Sequence, residues 1–264
     1  MHPLEPLVLL ALGVGVGAYG TLMGAGGGFV MVPLLITIYE LEPRVAAGTS
    51  LVFVFFNALS GSIAYLKQRH VDIKTGIMFT LMTAPGAVLG AFATSYLTSN
   101  TFKLAFAAIL ITASVYLVIR PLREDKASNL KGHPRRIVDN RGVEYKYSVR
   151  LIWGFITSFL AGFVSSIFGI GGGIIHVPAM ILLIGFPPHI ATATSHLILA
   201  FSSLVGSATH AYLGDVNFEL AVPLGLGATL GAQLGASIAQ RIREVIIERL
   251  LALALVAVAI RLLL

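Results

Sequence analysis

Long apolar runs with almost no charge set the strongest limit on how this chain folds. The run Leu104–Ile119 contains no charged residue, and the run Leu250–Ala259 is entirely aliphatic. Charged residues make up 11% of the chain, whereas a typical soluble domain has roughly 25%. Since a membrane-spanning helix needs about 20 mainly apolar residues, the sequence predicts an all-α, polytopic membrane protein. The aqueous segments are too short for an enzyme domain, so we expect no enzymatic activity.

The charge that remains is concentrated in one central segment. The chain has 18 basic and 12 acidic residues, and 13 of these charges lie between Arg120 and Arg150, nine of them Lys or Arg. Cytoplasmic loops of membrane proteins are enriched in Lys and Arg. We therefore predict a cytoplasmic linker at 121–150 between a first transmembrane repeat, 1–120, and a second, 151–264. The same rule explains the net charge of +6 without nucleic acid as a partner.

The two halves of the chain align without gaps at an offset of 145 residues. The stretch MGAGGGFVMVP, Met23–Pro33, falls on FGIGGGIIHVP, Phe168–Pro178. Composition does not explain so many matches of glycine and proline, so we infer an internal duplication. Further matched positions are Pro43 with Pro188, Ala46 with Ala191, Thr49-Ser50 with Thr194-Ser195, Leu59 and Gly61 with Leu204 and Gly206, and Gly86 and Gly90 with Gly231 and Gly235.

The loop charges predict that the two halves have opposite orientations. The loop Lys67–Lys74 has three basic residues, whereas its counterpart Tyr212–Glu219 has no Lys or Arg. One helix later the imbalance reverses, because the first half has only Lys103 there and the second half has three arginines. These are Arg241, Arg243 and Arg249. By the positive-inside rule, corresponding loops lie on opposite sides, and such inverted repeats are typical of secondary transporters.

Each repeat contains four to five apolar segments, and the second of them is short. In the first repeat the segments are Leu4–Leu22, Phe29–Leu41, Val45–Leu66, Ile73–Leu97 and Phe102–Ile119. The second has about 13 residues against the ~20 needed to span. Inversion requires an odd number of crossings per repeat, which favours a broken helix or hairpin that turns at the glycine triplet. Alternatively, the short segments cross the membrane and are shielded by their neighbours.

The glycine triplets have two interpretations. They either permit tight packing and a sharp turn, or they form a substrate site. Backbone amides at a glycine turn beside a helix N-terminus attract anions, and two such turns from inverted repeats would meet near the membrane midplane. The predicted substrate-binding glycines are Gly26, Gly27, Gly28, Gly171, Gly172 and Gly173.

A stripe of polar and small residues follows each glycine turn at helical spacing. In the first half it comprises Ser50, Asn57, Gly61 and Tyr65, and in the second Ser195, Ser202, Gly206 and His210. A lipid-facing helix has no use for such a stripe, so it faces the protein interior. Helix packing and a hydroxyl-lined substrate path both explain it. On the second interpretation the substrate contacts are Thr49, Ser50, Asn57, Thr194 and Ser195.

The apolar segments contain histidines but almost no other ionisable group. Apart from Arg261 near the end, no charged residue lies well inside a segment, which disfavours a cation pump or an aspartyl protease. His176, His196 and His210 do lie inside. They are candidates for carrying a coupled proton, or they are neutral, hydrogen-bonded residues. A pair of haems would need two more histidines on another segment, and only His176 is available there, so we expect no cofactor and no metal.

One nucleotide-binding pattern is present in sequence only. The stretch GVGAYG, Gly15–Gly20, fits the dinucleotide fingerprint GxGxxG, and Glu40 follows at the expected spacing. That fingerprint requires a soluble strand and a βαβ unit, and here it lies within an apolar run. We interpret these glycines as helix-packing positions.

The doubled motif resembles a known family. The stretches GAGGGFVMVPLL and RVAAGTSLVF, repeated as GIGGGIIHVPAMIL and HIATATSHLI, resemble the TauE/SafE family of sulfite and organosulfonate exporters over essentially the whole chain. The resemblance implies export of a small anion driven by the ion gradients of the membrane. It also implies that the glycine triplets and the Thr-Ser pairs belong to the site. His196 departs from its repeat partner Leu51, so any role it has is asymmetric.

These observations together predict a multi-pass permease of the bacterial or archaeal inner membrane. We expect it to move a small sulfur-containing anion by alternating access, with the lipid bilayer as its surroundings. A homo-oligomer is compatible with the sequence. An anion channel is the alternative, and a membrane-embedded haem or enzyme subunit is a second. The exact substrate, the direction of transport and the coupling ion stay open.

Overall fold

The computed structural model describes residues 5–119 and 132–239, together with positions 249, 253 and 256–260. Arg241 and Arg243, the linker residues 121–131 and most of the C-terminal apolar run lie outside the described residues. Among the described residues, six helices are long and apolar enough to cross a membrane. The prediction of a helical, polytopic membrane protein is therefore confirmed.

The helices follow one another along the chain in the predicted order. The first half contains α1 (Glu5–Met23), α2 (Gly28–Thr37), α3 (Pro43–Lys67), α4 (Ile73–Thr94) and α5 (Ser99–Ile119). Strands β1 (His133–Val138) and β2 (Glu144–Val149) come next. The second half contains α6 (Leu151–Phe168), α7 (Gly173–Ala179), a π-helical turn (Met180–Ile184), α8 (Pro188–Tyr212) and α9 (Phe218–Ala239). The six long apolar helices are α1, α3, α4, α6, α8 and α9.

The predicted break at each glycine triplet is confirmed. The chain between α1 and α2 adopts positive φ at Gly24, Gly26 and Gly27, with values of 74°, 76° and 79°. The equivalent glycines between α6 and α7 have φ of 69°, 79° and 75°. Residues with a Cβ rarely adopt this conformation, so glycine is needed here. Helix α2, with 10 residues, is about 15 Å long, or half of the ~30 Å hydrocarbon core.

The helices of the two halves pack against each other reciprocally. Helix α1 lies along α9, helix α4 lies along α6, and α3 packs against α8. At the offset of 145 residues, α1 corresponds to α6 and α4 to α9, so each contact is the exchanged copy of the other. The contacts are close because small residues meet backbone. A Cβ on Gly13 would strike the carbonyl oxygen of Leu224, and a Cβ on Gly86 would strike that of Phe159.

A β-hairpin lies between the halves, and the sequence analysis did not predict it. Strands β1 and β2 pair antiparallel, with His133 opposite Val149 and Val138 opposite Glu144. In the turn, the Asp139 carboxylate accepts hydrogen bonds from the N–H groups of Arg141 and Val143 at 2.9 and 2.8 Å. The hairpin is thus an ordered part of the segment predicted as a linker.

One face of the hairpin docks on the helix ends. Tyr147 and Val149 are buried and cluster with Ile184 and Phe186, which follow α7. The rings of Tyr147 and Phe186 lie 5.1 Å apart. The N–H of Arg150 then donates to the carbonyl of Ile184 at 3.0 Å. These contacts fix the hairpin against the second short helical segment.

Candidate functional site

The two glycine turns touch each other inside the protein. A Cβ added to Gly28 would strike the carbonyl of Gly169 and the backbone of Ile170. A Cβ added to Gly173 would strike the carbonyl of Gly24 and the backbone of Ala25, which are the corresponding positions of the other half. The turns therefore meet backbone to backbone, and all six predicted substrate-binding glycines are buried.

Two apolar side chains lie over the middle of the turns. A Cβ added to Gly26 would contact the side chains of Leu199 and Val54, and a Cβ added to Gly171 would contact that of Val54. Val54 and Leu199 are themselves 145 residues apart and buried. Gly27 and Gly172 instead face α1 and α6, because their nearest atoms include the carbonyls of Val16 and Ala161. The six glycines thus divide into contacts between the halves and contacts with the preceding helix.

The serines of the two Thr-Ser pairs bond the opposite glycine turn. Ser50 Oγ donates to the carbonyl of Gly169 at 2.8 Å, and Ser195 Oγ donates to that of Gly24 at 3.5 Å. Neither serine is exposed. Their hydroxyl hydrogens are used in these bonds to the turns. The oxygen lone pairs remain able to accept a hydrogen bond from another group.

The threonines of the same pairs hold the loops of the opposite half. Thr194 Oγ1 accepts from the N–H of Asp72 at 2.9 Å, and Thr49 Oγ1 accepts from the N–H of Asn217 at 2.9 Å. Asp72 and Asn217 begin α4 and α9, where their side chains accept from the N–H of Thr75 and Leu220. Thr49 and Thr194 were predicted as substrate contacts, and the structure places them on these loop amides.

We expect Thr194→Val to destabilise the protein by about 1–3 kcal/mol, because the nearly isosteric side chain leaves the buried N–H of Asp72 without its acceptor. The measurement is the apparent melting temperature of the purified protein in detergent. Thr112→Val is the matched control, since Thr112 is exposed and bonds only the Ala108 carbonyl of its own helix. Equal melting temperatures for the two variants would contradict this role of Thr194.

Asn57 connects the end of α1 to the first glycine turn. Its Oδ1 accepts from Thr21 Oγ1 at 2.8 Å, and its Nδ2 donates to the carbonyl of Gly26 at 2.9 Å. Tyr65 adds a third bond, because its hydroxyl donates to the carbonyl of Thr21 at 3.0 Å. Of the predicted substrate contacts, Asn57 therefore lies directly beside the glycines.

Sequence reasoning missed Thr21 and its counterpart Ser166. The carbonyl of Ser166 accepts from His210 Nε2 at 2.9 Å, just as that of Thr21 accepts from Tyr65. Both are hydroxyl residues three positions before the first glycine of a turn, at the offset of 145. That match was available in the alignment and would have identified them.

The three histidines are buried in different surroundings. His176 Nε2 shares a hydrogen bond of 2.9 Å with Ser158 Oγ. His210 Nδ1 lies 3.8 Å from Asp215 Oδ2. His196 Nδ1 is 3.1 Å from the carbonyl of Thr192, so Nδ1 is the donor. Within the described residues, no group of three His, Asp or Glu side chains is placed to hold a metal ion.

A charged cluster joins the hairpin to the loop that Thr194 holds. Asp72 Oδ2 accepts from the Tyr147 hydroxyl at 2.9 Å and lies 3.5 Å from Arg135 Nε. Arg135 Nε also donates to Thr75 Oγ1 at 3.1 Å. Burial, and then the nearby Asp72 carboxylate, raise the pKa of Tyr147, so its hydroxyl stays protonated. In the other half Asn217 occupies the position of Asp72, so the loop before α9 lacks the carboxylate that the loop before α4 has.

Comparison with known proteins places the chain in a family. Residues 9–262 match the family described as Sulfite exporter TauE/SafE. A probable membrane transporter protein of Bacillus subtilis, YunE, is 38% identical over 84% of this chain and 84% of its own length.

More distant relatives carry the same description. The probable membrane transporter MJ0441 of Methanocaldococcus jannaschii is 26% identical over 83% of this chain and 79% of its own length. ORF9 of a Sinorhizobium species, also named a probable membrane transporter, is 28% identical over 91% and 86%. No solved structure matches the chain. These names indicate a multi-pass membrane transporter rather than an enzyme. The chain therefore belongs to the TauE/SafE sulfite exporter family.

Proposed function

We propose that the protein is a secondary transporter that exports a small sulfur-containing anion, such as sulfite or an organosulfonate, across the inner membrane. The description of the family as sulfite exporters supports the substrate class. The contact between the two glycine turns is the observation that carries the proposal. It brings the start of α2 and the start of α7 to one buried place.

The start of α2 has the chemistry of an anion site. Its N-cap is Gly27, which supplies no side chain to bond the first amides of the helix. Helix N-termini carry partial positive charge and donate N–H groups to anions. Gly172 is the N-cap of α7 and likewise makes no side-chain cap. We assign the anion to these turns, with Ser50, Ser195 and Asn57 as neighbouring polar groups.

Alternating access is the mechanism that the reciprocal bonds support. We propose two inverted repeats, 1–120 and 151–264, joined by the cytoplasmic segment 121–150. In inverted repeats the loops before α4 and α9 lie at opposite faces of the membrane. The bonds from Thr194 to Asp72 and from Thr49 to Asn217 would then be two gates. Opening one gate while the other stays bonded exposes the glycine turns to one side.

The histidines are the proton-coupling candidates of this scheme, since the described core has no acidic side chain beside the turns. Export driven by an ion gradient needs a group that changes charge during the cycle. His176, His196 and His210 are buried and ionisable. The oligomeric state is independent of this scheme.

The test is transport by the purified chain in proteoliposomes. We expect saturable flux of sulfite or of an organosulfonate such as isethionate, and a rise in the melting temperature of the protein with the same anion. Sulfate and chloride serve as control anions. Asn57→Ala is expected to reduce the flux at least tenfold, because it releases Gly26 from α3. Flux that rises linearly with anion concentration would favour a channel, and no flux of any sulfur anion would overturn the proposal.

A further inference from the structure

His196 lies in a space made for its ring between α1 and α3. A Cβ on Gly61 would come within 2.6 Å of its Cδ2 atom and 3.2 Å of its Nε2 atom. The same Cβ would be 3.2 Å from a methyl group of Thr21. The Tyr65 ring stands 5.2 Å away, edge to face. Gly61 therefore leaves room for an imidazole at this position.

One nitrogen of that ring is left over when the hydrogen bonds around it are counted. Thr21 donates to Asn57, Asn57 donates to Gly26, and Tyr65 donates to the carbonyl of Thr21. His196 Nδ1 bonds Thr192. Among the described residues, Nε2 has no partner although it is fully buried. Buried polar atoms in native structures are almost always hydrogen-bonded, so Nε2 has a bonding position that a ligand could fill.

The groups that face His196 leave its charge to be balanced by something else. From α3 the titratable neighbour is Tyr65. Asp72, in the loop before α4, bonds Thr194 through its N–H, and its carboxylate pairs with Arg135 and accepts from Tyr147. From α1 and the glycine turn the described contacts are neutral. A proton on Nε2 would therefore create an N–H donor and a positive charge without a carboxylate of its own.

The other half has no histidine at the position equivalent to His196. The position that corresponds to His196 is Leu51, and a methyl group of Leu51 would lie 3.1 Å from a Cβ on Gly206. Gly206 corresponds to Gly61. The same niche is thus filled by an imidazole in one place and by a leucine in the other. The ionisable group of the second subsite is at another position, because His210 stands where the first has Tyr65 and bonds the carbonyl of Ser166.

We infer that His196 is the proton-carrying ligand of the transported anion, and that one proton binds with each anion at the subsite of Thr21, Asn57, Gly61 and Tyr65. This inference rests on the proposed function. The proton adds to the Nε2 lone pair, and the resulting N–H donates to the anion, whose charge it balances. Without the proton, the lone pair repels the anion. Asn57 connects the subsite to the first glycine turn through Gly26.

The test is calorimetric titration of the full chain in detergent with sulfite and with isethionate at several pH values. We expect the Kd of the wild type to increase as the pH rises, by up to roughly tenfold per pH unit, which is the limit for one linked proton. His196→Leu copies the repeat partner, and His196→Gln keeps a polar side chain. Both variants are expected to lose the pH dependence that the wild type shows. Sulfite itself titrates, and comparing wild type and variant at each pH cancels that contribution.

The control is His133→Gln, which also removes a histidine but at an exposed position of strand β1 outside the proposed site, and it should keep the wild-type pH dependence. Binding whose pH dependence persists in both His196 variants would overturn the inference and leave the proposed function standing. Absence of binding of either anion at every pH would overturn both. In proteoliposomes, a pH-sensitive dye should record proton movement with the anion for the wild type and His133→Gln, and none for His196→Gln.

Discussion

Gly28→Ala and Gly173→Ala should each destabilise the protein by about 3 kcal/mol or more, the upper end for overpacking a core. Both glycines have ordinary helical φ, so space alone decides the effect. The added methyl group would strike backbone atoms of the opposite glycine turn, and backbone cannot rotate away as a side chain does. In a chain of this size the apparent melting temperature should fall by roughly 6–12 °C. Transport should be lost even where folded protein remains, because the turns are pushed apart.

Two glycines of helix α1 serve as comparisons for Gly28→Ala and Gly173→Ala. Gly15→Ala is the control, since nothing lies within 4 Å of its added Cβ, and alanine favours a helix over glycine by about 0.5–1 kcal/mol. Gly13→Ala, two positions away, should be costly because its Cβ would strike the Leu224 carbonyl. If the melting temperature of Gly28→Ala equals that of Gly15→Ala instead of that of Gly13→Ala, the contact between the turns is not as close as described.

The apolar runs were sufficient to predict the helices, and the polar stripes were sufficient to predict the buried face of α3 and α8. The segment predicted at Val45–Leu66 is helix α3 at Pro43–Lys67, and its polar stripe is buried as expected. Ser50 and Asn57 are 0% exposed and Tyr65 is 4% exposed. These successes have one cause. A polar group in a membrane helix must turn away from lipid, so its position along the helix determines its direction.

The hairpin was missed for a physical reason. Its sequence shows strand alternation in EYKYSV, Glu144–Val149, but the high charge around it suggested only a solvated linker. What stabilises the hairpin is distant in sequence. Tyr147 and Arg135 bond Asp72, which lies before α4, and Val149 packs near Ile184. A local pattern does not reveal such partners.

The candidate site was predictable as a set of residues but not as a set of bonds. The alignment at 145 residues singled out the Thr-Ser pairs and assigned all four residues to substrate, which stays a prediction. Their actual partners are the carbonyls and amides of the opposite half. A hydroxyl bonds whatever the tertiary structure brings near it, so its partner is decided by packing. The reciprocity itself follows from the duplication and could have been expected.

Asp72→Ala should lower the free energy of unfolding by about 3–5 kcal/mol, the usual penalty for removing one partner of a buried ion pair. The Asp72 side chain is 6% exposed and that of Arg135 is 18% exposed. The substitution removes the ion-pair partner of the Arg135 guanidinium, the acceptor of the Tyr147 hydroxyl and the cap of α4. Asp72→Asn should cost less, because Asn217 shows that an asparagine caps the equivalent helix. Chemical denaturation or thermal melting of the purified protein measures both changes.

Neighbouring arginines on strand β1 separate a buried charge effect from loss of charge in general. Arg135→Ala removes a group bonded to Asp72 and Thr75, whereas Arg136 has a side chain that is 70% exposed and pairs with Glu144 at the surface. Exposed pairs contribute about 0–1 kcal/mol, so Arg136→Ala should be nearly neutral. Because Asp72 also donates its N–H to Thr194, loosening this cluster should weaken that gate first and raise the rate of opening on the hairpin side. Equal stabilities for Asp72→Ala and Arg136→Ala would mean that the hairpin does not hold the loop.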